Sequence, residues 1–292
     1  MKAVIELEKL TKSYGKQRGI KDVTFTVNEG ETFGFIGPNG AGKSTTIRTL
    51  LALFEPTGGH AKIFGMDCVK QASEIARDVG YVPSEAAYYD KMKVKELLSY
   101  TGALYKKDCK KKADALCDKL GLDQARRISD LSFGNKKKVG IVAALLHSPK
   151  LIILDEPTAG LDPLVQQTFF EILGEENKRG ATVFFSSHIL SEVQKFCQRV
   201  AILKEGILIG VQGIKELRET GYKKVSITAK EDIPADYFKT ENAAQLAQSG
   251  AKASFIYKGD VGNLFNRIAK LGVEDAFVEE PSLEEIFLHY YE

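Results

Sequence analysis

The chain has 292 residues, enough for one large domain or two moderate ones with a hydrophobic core. Its 41 lysine and arginine residues and 39 aspartate and glutamate residues give a formal net charge of +2, which offers no support for nucleic-acid binding. No apolar run approaches the roughly 18–20 residues that span a bilayer, and MKAVIELEKL lacks the apolar segment of a signal peptide. The four cysteines form no CxxC pair. We therefore expect a cytosolic chain whose membrane role, if any, requires a partner.

The first third of the sequence predicts strands followed by a helix. Apolar residues predict strands at 3–7, 22–27 and 31–37. The glycine-rich segment GPNGAGKST follows the third strand directly and leads into an apolar-periodic stretch at 47–54, which predicts a helix. A Gly-Gly pair at 58–59 is predicted to end it.

The middle of the sequence predicts helices and then a parallel sheet. From about 84 to 150, apolar residues recur at three- and four-residue spacing, which is typical of amphipathic helices. Short continuous apolar runs at 151–154 and 182–187 predict strands buried on both faces, joined by a crossover helix at 163–180. A hairpin is predicted across Glu205-Gly206.

The sequence after about residue 220 predicts a second, small αβ region. Strands are expected at 223–228 and 253–259, and a helix at 261–272. The last eleven residues, SLEEIFLHYYE, predict a terminal amphipathic helix capped by Ser282.

The segment from Gly37 to Ser44 matches the phosphate-binding pattern GxxxxGK[ST] and lies between a predicted strand and a predicted helix, the context that the pattern requires. Its glycines let the backbone turn its N–H groups toward phosphate oxygens, and the helix N-terminus adds a partial positive charge. Lys43 is expected to reach the β- and γ-phosphates, and Ser44 to ligate Mg²⁺. The predicted nucleotide contacts are Gly37, Pro38, Asn39, Gly40, Ala41, Gly42, Lys43, Ser44 and Thr45.

Two adjacent acids, Asp155 and Glu156, follow the apolar strand LIIL. Because ligands of α/β sheets bind at the carboxyl ends of strands, Asp155 is placed to hold Mg²⁺ through water. Glu156 is one residue further and is expected to polarise an attacking water. Burying two charges would be costly without such a role.

With both motifs present, the sequence resembles the ATP-binding subunits of ABC transporters over roughly residues 2–220. The resemblance implies that Tyr14 stacks on adenine, although a lone tyrosine is more often plain packing. It implies that Asp162, in TAGLD, organises a dimer interface, while Asp162 also fits a helix N-cap before a proline. It implies that His188, after TVFFSS, contacts the γ-phosphate and takes part in catalysis with Glu156 and Lys43.

The resemblance also implies the architecture. We expect an α/β fold: a P-loop NTPase core with a mixed or parallel sheet and flanking helices, an N-terminal antiparallel β-subdomain, and an inserted helical subdomain at about 84–150. The ATP-binding domain is expected to cover 1–220. A small C-terminal αβ accessory domain, similar to the appendage of exporter-type (ABC-2) subunits, is expected at 221–292.

One departure from the family pattern concerns the loop that senses Mg²⁺ and water, where the family has a glutamine. Here GYVPSEAAYYD places Ser84 there, with Glu85 beside it. Because serine is shorter than glutamine, three outcomes remain open: an indirect contact, a contact taken over by Glu85, or none.

The other departure is LSFGN at 131–135, which is similar to the family signature LSGGQ with Phe133 for the first glycine and Asn135 for the glutamine. Ser132 and Gly134 keep the hydroxyl and the helix N-terminus that a γ-phosphate requires. The run Lys136-Lys137-Lys138 is predicted to be a solvated or partner-facing surface, and the same is predicted of Lys106, Lys107 and Lys110 to Lys112.

The resemblance implies an ATP-hydrolysing subunit that works as a homo- or heterodimer, each ATP lying between one chain's 37–44 loop and the other chain's 132–134 segment. It would dock to separately encoded transmembrane permease subunits at the cytoplasmic face of the cell membrane, with ATP and Mg²⁺ bound, no nucleic acid, and export favoured over import. The alternatives are a soluble ATPase of this superfamily acting on ribosomes or DNA, and a regulatory subunit that binds nucleotide without hydrolysis.

Overall fold

The computed structural model describes residues 2–15, 17–85, 88–218, 222–239 and 243–281. It divides into two compact units, Met1–Val211 and Gln212–Glu292. The terminal helix predicted at 282–292 lies outside the described residues. The division at 220 and the extent of the helical subdomain stay predictions about domain organisation.

The first part of unit 1 contains a small antiparallel sheet in the order β2-β1-β4-β5. The strands predicted near residues 3–7 and 22–27 are confirmed, and both are longer than predicted. Three strands, β4, β5 and β6, were not predicted. The bounds are β1 (Ala3–Tyr14), β2 (Gln17–Asn28), β3 (Thr32–Ile36), α1 (Lys43–Leu50), β4 (Gly58–Ile63), β5 (Met66–Asp67), α2 (Ala72–Ile75) and β6 (Val79–Val82).

The rest of unit 1 contains helices α3 to α5 and the remaining strands of the core sheet. Helices occupy most of the segment predicted to be helical, the first beginning ten residues after Ser84. The hairpin across Glu205-Gly206 is confirmed, and both turn residues have positive φ. The bounds are α3 (Val94–Leu104), α4 (Lys110–Leu120), α5 (Phe133–Leu145), β7 (Leu151–Asp155), α6 (Pro163–Lys178), β8 (Thr182–Ser187), α7 (Leu190–Phe196), β9 (Arg199–Lys204) and β10 (Ile207–Gly213).

The core sheet has the strand order β10-β9-β3-β8-β7-β6 among the described residues, and its pairs β9–β3, β3–β8, β8–β7 and β7–β6 are parallel. Every residue of β3, β7 and β8 is buried. This is the pattern of strands covered on both faces, which the continuous apolar runs of β7 and β8 predicted. The predicted P-loop NTPase fold is confirmed.

A cluster of phenylalanines joins the two sheets of unit 1. Phe25 of β2 stacks on Phe33 of β3 and on Phe184 of β8, with ring centroids 5.4 Å and 6.1 Å apart. Phe35 lies 5.5 Å from Phe184. Aromatic pairs of this kind contribute about 0.5–1.5 kcal/mol each beyond their buried area. These ring contacts fix the position of β3, the strand that leads into the glycine-rich loop.

Unit 2 contains a four-stranded antiparallel sheet in the order β12-β13-β11-β14 and an amphipathic helix, α9. Its core contains Val225, Ile227, Phe255, Leu264 and Ile268. The strands predicted at 223–228 and 253–259 and the helix at 261–272 are confirmed, whereas β12 and β14 were not predicted. The bounds are α8 (Ile214–Arg218), β11 (Tyr222–Ala229), β12 (Ala243–Ser249), β13 (Lys252–Lys258), α9 (Val261–Ala269) and β14 (Val273–Glu279).

In the described part of the chain, none of the helices has the length and apolar character needed to cross a lipid bilayer.

Candidate active site

Three strands of the core sheet end at one edge and bring the sequence motifs together. In the parallel register, Asp155 of β7 lies opposite Ser186 of β8, and Ile36 of β3 lies opposite Ser187. The glycine-rich loop after β3, the acids at the end of β7 and His188 after β8 therefore meet where parallel sheets bind their ligands.

At two positions of the glycine-rich loop, the backbone has a conformation that only glycine adopts easily. Gly40 and Gly42 have φ values of 80° and 105°, in the region that L side chains rarely adopt. At Gly37, which has no such constraint, a Cβ atom would lie only 2.3 Å from the Leu203 carbonyl oxygen. The loop therefore depends on these glycines for both conformation and space.

Lys43 is the first residue of helix α1, and its side chain lies inside the glycine-rich loop. Its buried Nζ donates hydrogen bonds to the carbonyl oxygens of Gly37, at 2.7 Å, and Pro38, at 3.4 Å. Pro38, Asn39 and Gly40 form the exposed rim of the loop. A cation enclosed by this loop at a helix N-terminus is suited to bind phosphate.

Ser44 and Asp155, both predicted to bind Mg²⁺, lie in contact. Ser44 Oγ donates to Asp155 Oδ1 at 3.0 Å, and Ser186 Oγ donates to the same oxygen at 2.9 Å. Asp155 is fully buried, and its Oδ2 accepts no hydrogen bond from the described residues. An unsatisfied buried carboxylate oxygen is costly. Carboxylate and hydroxyl oxygens are the donors that Mg²⁺ prefers, so these residues fit that ion.

Glu156 is held between two cationic or polar side chains. Its Oε1 lies 3.1 Å from Lys43 Nζ, and its Oε2 lies 2.6 Å from His188 Nδ1. The residue has φ = 49°, an uncommon conformation for a non-glycine residue that costs about 1–3 kcal/mol and occurs preferentially at functional sites. The Ser186 side chain and carbonyl accept hydrogen bonds from its N–H.

Ser186 is a residue that the sequence reasoning missed. Its hydroxyl donates to Asp155 and accepts from the Glu156 N–H, so one side chain fixes both acids. The sequence signal was the serine pair after TVFF, which gives a buried strand two polar residues before a histidine.

A second missed residue, Glu192 of α7, links Ser187, the residue before His188, to Thr158 of the TAGLD segment. Its Oε2 accepts a hydrogen bond from Ser187 Oγ at 2.9 Å, and Ser187 Oγ in turn accepts from the Ile189 N–H. Burial raises the pKa of Glu192, and hydrogen bonds from Ser187 and Thr158 oppose that effect. The position of Glu192 in the sequence carried no signal for this contact.

Ser132 caps helix α5, with Oγ accepting from the Asn135 N–H at 3.4 Å. Ser132 is exposed, and Phe133 is 58% exposed. A Cβ atom at Gly160 would lie 2.4 Å from the Phe133 ring, and one at Gly134 would lie 2.7 Å from the Gly160 carbonyl oxygen. The 131–135 segment and the TAGLD segment of the same chain therefore pack closely together.

The two remaining predicted site residues are Asp162 and Tyr14. Asp162 caps α6 by accepting from the Val165 N–H at 3.0 Å, so its local role as an N-cap is confirmed. Tyr14 is partly exposed, with Phe54 edge-on at 6.1 Å and Lys12 Nζ 5.5 Å from the ring centroid. Stacking of Tyr14 on adenine stays a prediction.

The prediction of a solvated lysine surface at 136–138 was wrong for Lys137. Its side chain is 6% exposed, and Nζ donates to the carbonyl oxygens of Pro83, at 3.0 Å, and Ser84, at 2.8 Å. Residues 137, 140, 141 and 144 share the buried face of α5, so helical spacing decides the burial of this lysine.

In the other run Lys107 is exposed, as predicted, whereas Lys112 is half-buried. Lys107 Nζ donates to the His147 carbonyl oxygen, and Lys112 Nζ pairs with Glu176 at 2.8 Å.

The fold and the site define a P-loop nucleoside triphosphatase. Its loop surrounds a buried lysine, its serine–aspartate pair offers oxygen donors to a cation, and its glutamate is positioned between a lysine and a histidine. This arrangement can bind a nucleotide's phosphates and activate water.

Comparison with known proteins identifies the family. The ABC transporter family model matches residues 20–159. The bacitracin transport ATP-binding protein BcrA of Bacillus licheniformis is 32% identical over 297 residues, with 99% of this chain and 97% of that protein covered. The linearmycin resistance ATP-binding protein LnrL of Bacillus subtilis is 35% identical over 213 residues, with 71% and 68% covered.

A solved structure supports the same assignment. It is a dimeric ATP-binding cassette in a post-hydrolysis state bound to ADP and Pi, with a TM-score of 0.66 and 25% identity, covering 72% of this chain and 98% of that one. The chain belongs to the ATP-binding proteins of ABC transporters. It is an ATP-binding, ATP-hydrolysing subunit of such a transporter.

Proposed function

We propose that this chain uses Mg²⁺ and ATP to drive export through separately encoded transmembrane subunits, acting as one half of an ATP-closed dimer at the cytoplasmic face of the membrane. The observation that carries the proposal is the cluster of Lys43, Asp155, Glu156 and His188 at the carboxyl edge of the core sheet.

The chain's own residues divide the chemistry between them. Lys43 and the surrounding loop bind the phosphates. Ser44 and Asp155 would hold Mg²⁺, which would supply positive charge to the phosphate oxygens. Glu156 accepts a proton from the attacking water, since both of its oxygens are already oriented by Lys43 and His188. Tyr14 contacts the base, and His188 contacts the γ-phosphate.

Exposed apolar side chains on three site segments support dimer formation. Phe133 follows the capping serine of α5, Leu164 is the second residue of α6 and is 78% exposed, and Ile189 follows His188. Exposed apolar residues concentrated around a polar site are typical of an interaction surface. In our proposal, Ser132 and Gly134 of one subunit complete the phosphate site of the other, and Asp162 lies at their interface.

A separate apolar surface supports docking to a membrane subunit. A cavity of about 320 Å³ lies between α1, β6, α3 and α5, lined mainly by apolar side chains that include Leu51, Ile75 and Ala143. Leu53 and Leu104 are exposed. We assign this surface to the permease because Val79 and Tyr81 of β6 line the cavity, and β6 leads into a loop beside the catalytic acids.

The outward direction rests on the relatives and on the C-terminal unit. One relative is named for bacitracin transport and another for linearmycin resistance, and the match to BcrA extends over 99% of this chain. The match therefore includes the C-terminal unit, whose sequence is similar to the appendage of exporter-type subunits.

The test is purification of the tagged chain from its native cells after detergent solubilisation of washed membranes. We expect a protein with several apolar spans to co-purify, and its amount to fall in a Leu53→Asp, Leu104→Asp double variant. Ile209→Asp, on the exposed face of β10, serves as the matched control. Recovery of ribosomal RNA in place of a membrane protein would favour a soluble ATPase, and absence of ATP turnover in the purified complex would favour a regulatory subunit.

A further inference from the structure

Lys137 is a buried cation whose described partners are neutral. Its ammonium group donates to two consecutive carbonyl oxygens, of Pro83 and Ser84, and within the described ranges it forms no ion pair with a carboxylate. Burial lowers its pKa, and the charges of Asp155, Glu156 and Glu85 act in the opposite direction. Burying an ammonium group without a paired carboxylate costs free energy, so the burial of Lys137 suggests a functional role.

The two carbonyl groups belong to the loop that leaves the core sheet next to the catalytic acids. In the parallel register Val82 of β6 lies opposite Leu154 of β7, so Pro83 and Ser84 leave the sheet beside Asp155 and Glu156. Within the described part of the chain, the Ser84 hydroxyl makes no hydrogen bond. The lysine therefore contacts the main chain of this loop, while the short Ser84 side chain contributes nothing to the contact.

The lysine also belongs to the helix that carries the capping serine. Lys137 lies in the second turn of α5, whose N-terminus is capped by Ser132. One side chain thus connects two parts of the proposed machinery, the helix that presents Ser132 and the loop after β6, and the charges of Asp155 and Glu156 act on it. A hydrogen bond from a cation to a carbonyl group in a low-dielectric interior responds strongly to nearby charge.

We propose that Lys137 is a positioning residue that couples the loop at 83–85 to the charge state of the nucleotide site, in the place where the Ser84 side chain is too short to do so. This rests on the proposed function, since it assigns a coupling role within the same site. Negative charge added at the site changes the attraction on the ammonium group, and the ammonium group passes the change to the two carbonyl groups and to α5.

The experiment compares Lys137→Met, Lys137→Gln and Lys137→Arg with Lys138→Met, a control at the next residue of the same helix. Met removes the charge and the donors, Gln keeps donors without charge, and Arg keeps both. We expect Lys137→Met to lower kcat about tenfold or more while KM for ATP changes less than about threefold. Lys137→Arg is expected to retain most of kcat, Lys137→Gln to be intermediate, and Lys138→Met to match the wild type.

The second readout is hydrogen exchange of the 79–85 peptide with and without Mg²⁺ and a non-hydrolysable ATP analogue. The wild type and Lys138→Met should show nucleotide-dependent protection of this peptide, and Lys137→Met should lose it at unchanged nucleotide occupancy. If Lys137→Met does not fold, the comparison of Arg with Gln decides, because a role in packing alone gives the two variants equal protection.

Equal kcat and equal protection in all variants would overturn the proposal. Absence of ATP turnover in the wild type would instead contradict the proposed function, so the two failures are distinguishable.

Discussion

Nδ1 of His188 lies 2.6 Å from Oε2 of Glu156, so the histidine after β8 and the glutamate after β7 form one unit at the edge of the core sheet. Glu156 follows β7 and His188 follows β8, so their contact requires both strands. The contact depends on the parallel register that sets Asp155 opposite Ser186 and on the left-handed conformation of Glu156. The geometry makes the histidine the residue that orients the glutamate's carboxylate.

The His188→Ala variant is expected to lose hydrolysis while still binding ATP. Without the imidazole the Glu156 carboxylate keeps one of its two described side-chain partners, Lys43, and loses its orientation. Loss of an orienting group at a general base typically costs about 10²–10⁴-fold in rate. Steady-state ATPase assays with His60→Ala as control check this, since His60 is exposed and pairs with Glu8. Wild-type turnover in His188→Ala would contradict the role.

The Lys43→Ala variant is expected to weaken ATP binding strongly. The substitution removes the cation enclosed by the loop and leaves the carbonyl oxygens of Gly37 and Pro38 without its hydrogen bonds. Charge-assisted contacts of this kind are worth about 1.5–3 kcal/mol each, which corresponds to about a tenfold or larger loss of affinity. A nucleotide titration measures it. An unchanged dissociation constant would exclude Lys43 as the phosphate ligand.

The Ser132→Arg variant is expected to block ATP-driven dimerisation and to leave nucleotide binding by the single subunit nearly intact. Ser132 is exposed at the N-terminus of α5, and its described hydrogen bond is to Asn135 of the same turn. Light scattering with and without Mg²⁺ and ATP, beside a nucleotide titration, separates the two effects. Ser99→Arg, at an exposed position of α3, is the control. If Ser132→Arg abolished binding by the single subunit, the shared-site proposal would be wrong.

The buried His147 is expected to make the stability of the fold depend on pH. The ring is 1% exposed and stacks on Tyr105 with centroids 3.6 Å apart. Burial, together with Lys107, lowers the pKa of His147 from 6.5 to about 4. The unfolded chain takes up this proton at a higher pH than the folded chain does. The free energy of unfolding therefore falls as the pH drops from about 6.5 to about 4, by about 3 kcal/mol at the lower end of this range.

Chemical denaturation of the wild type and of His147→Phe between pH 7 and pH 4.5 measures this effect. The phenylalanine keeps the stack without a titratable group, so the difference between the two curves should shrink toward neutral pH and grow on acidification. His60→Phe, at an exposed position, should follow the wild type. Parallel curves for wild type and His147→Phe would contradict the assignment.

The sequence predicted those parts of the site that a single segment encodes. The glycine-rich loop, the helix that follows it and the two acids after LIIL all depend on residues close together along the chain, so pattern and spacing sufficed. Ser186 and Glu192 could not be predicted in the same way. The contacts of Ser186 with Asp155 and of Glu192 with Thr158 join residues more than thirty positions apart, and only the pairing of β7 with β8 brings these segments together.

Strands were missed where local composition favoured another structure. β4 begins with Gly58-Gly59, which is typical of a turn, and β12 contains AAQLAQS, whose alanines and glutamines favour helix. The β14 sequence VEDAFVE is charged and mostly exposed, so it lacks the alternation of a half-buried strand. Pairing with β11 decides its structure. Tertiary pairing therefore overrides local preference at these positions.

The most direct test of the account is ATP turnover by Glu156→Gln, measured beside ATP binding and molar mass in the same preparation. Glutamine keeps the shape of the side chain and cannot accept the proton, so we expect turnover to fall at least about a hundredfold while ATP still binds. With Mg²⁺ and ATP, the protein should then persist as a dimer of twice the single-chain mass. Unchanged turnover in Glu156→Gln would contradict the central claim that this glutamate activates the water.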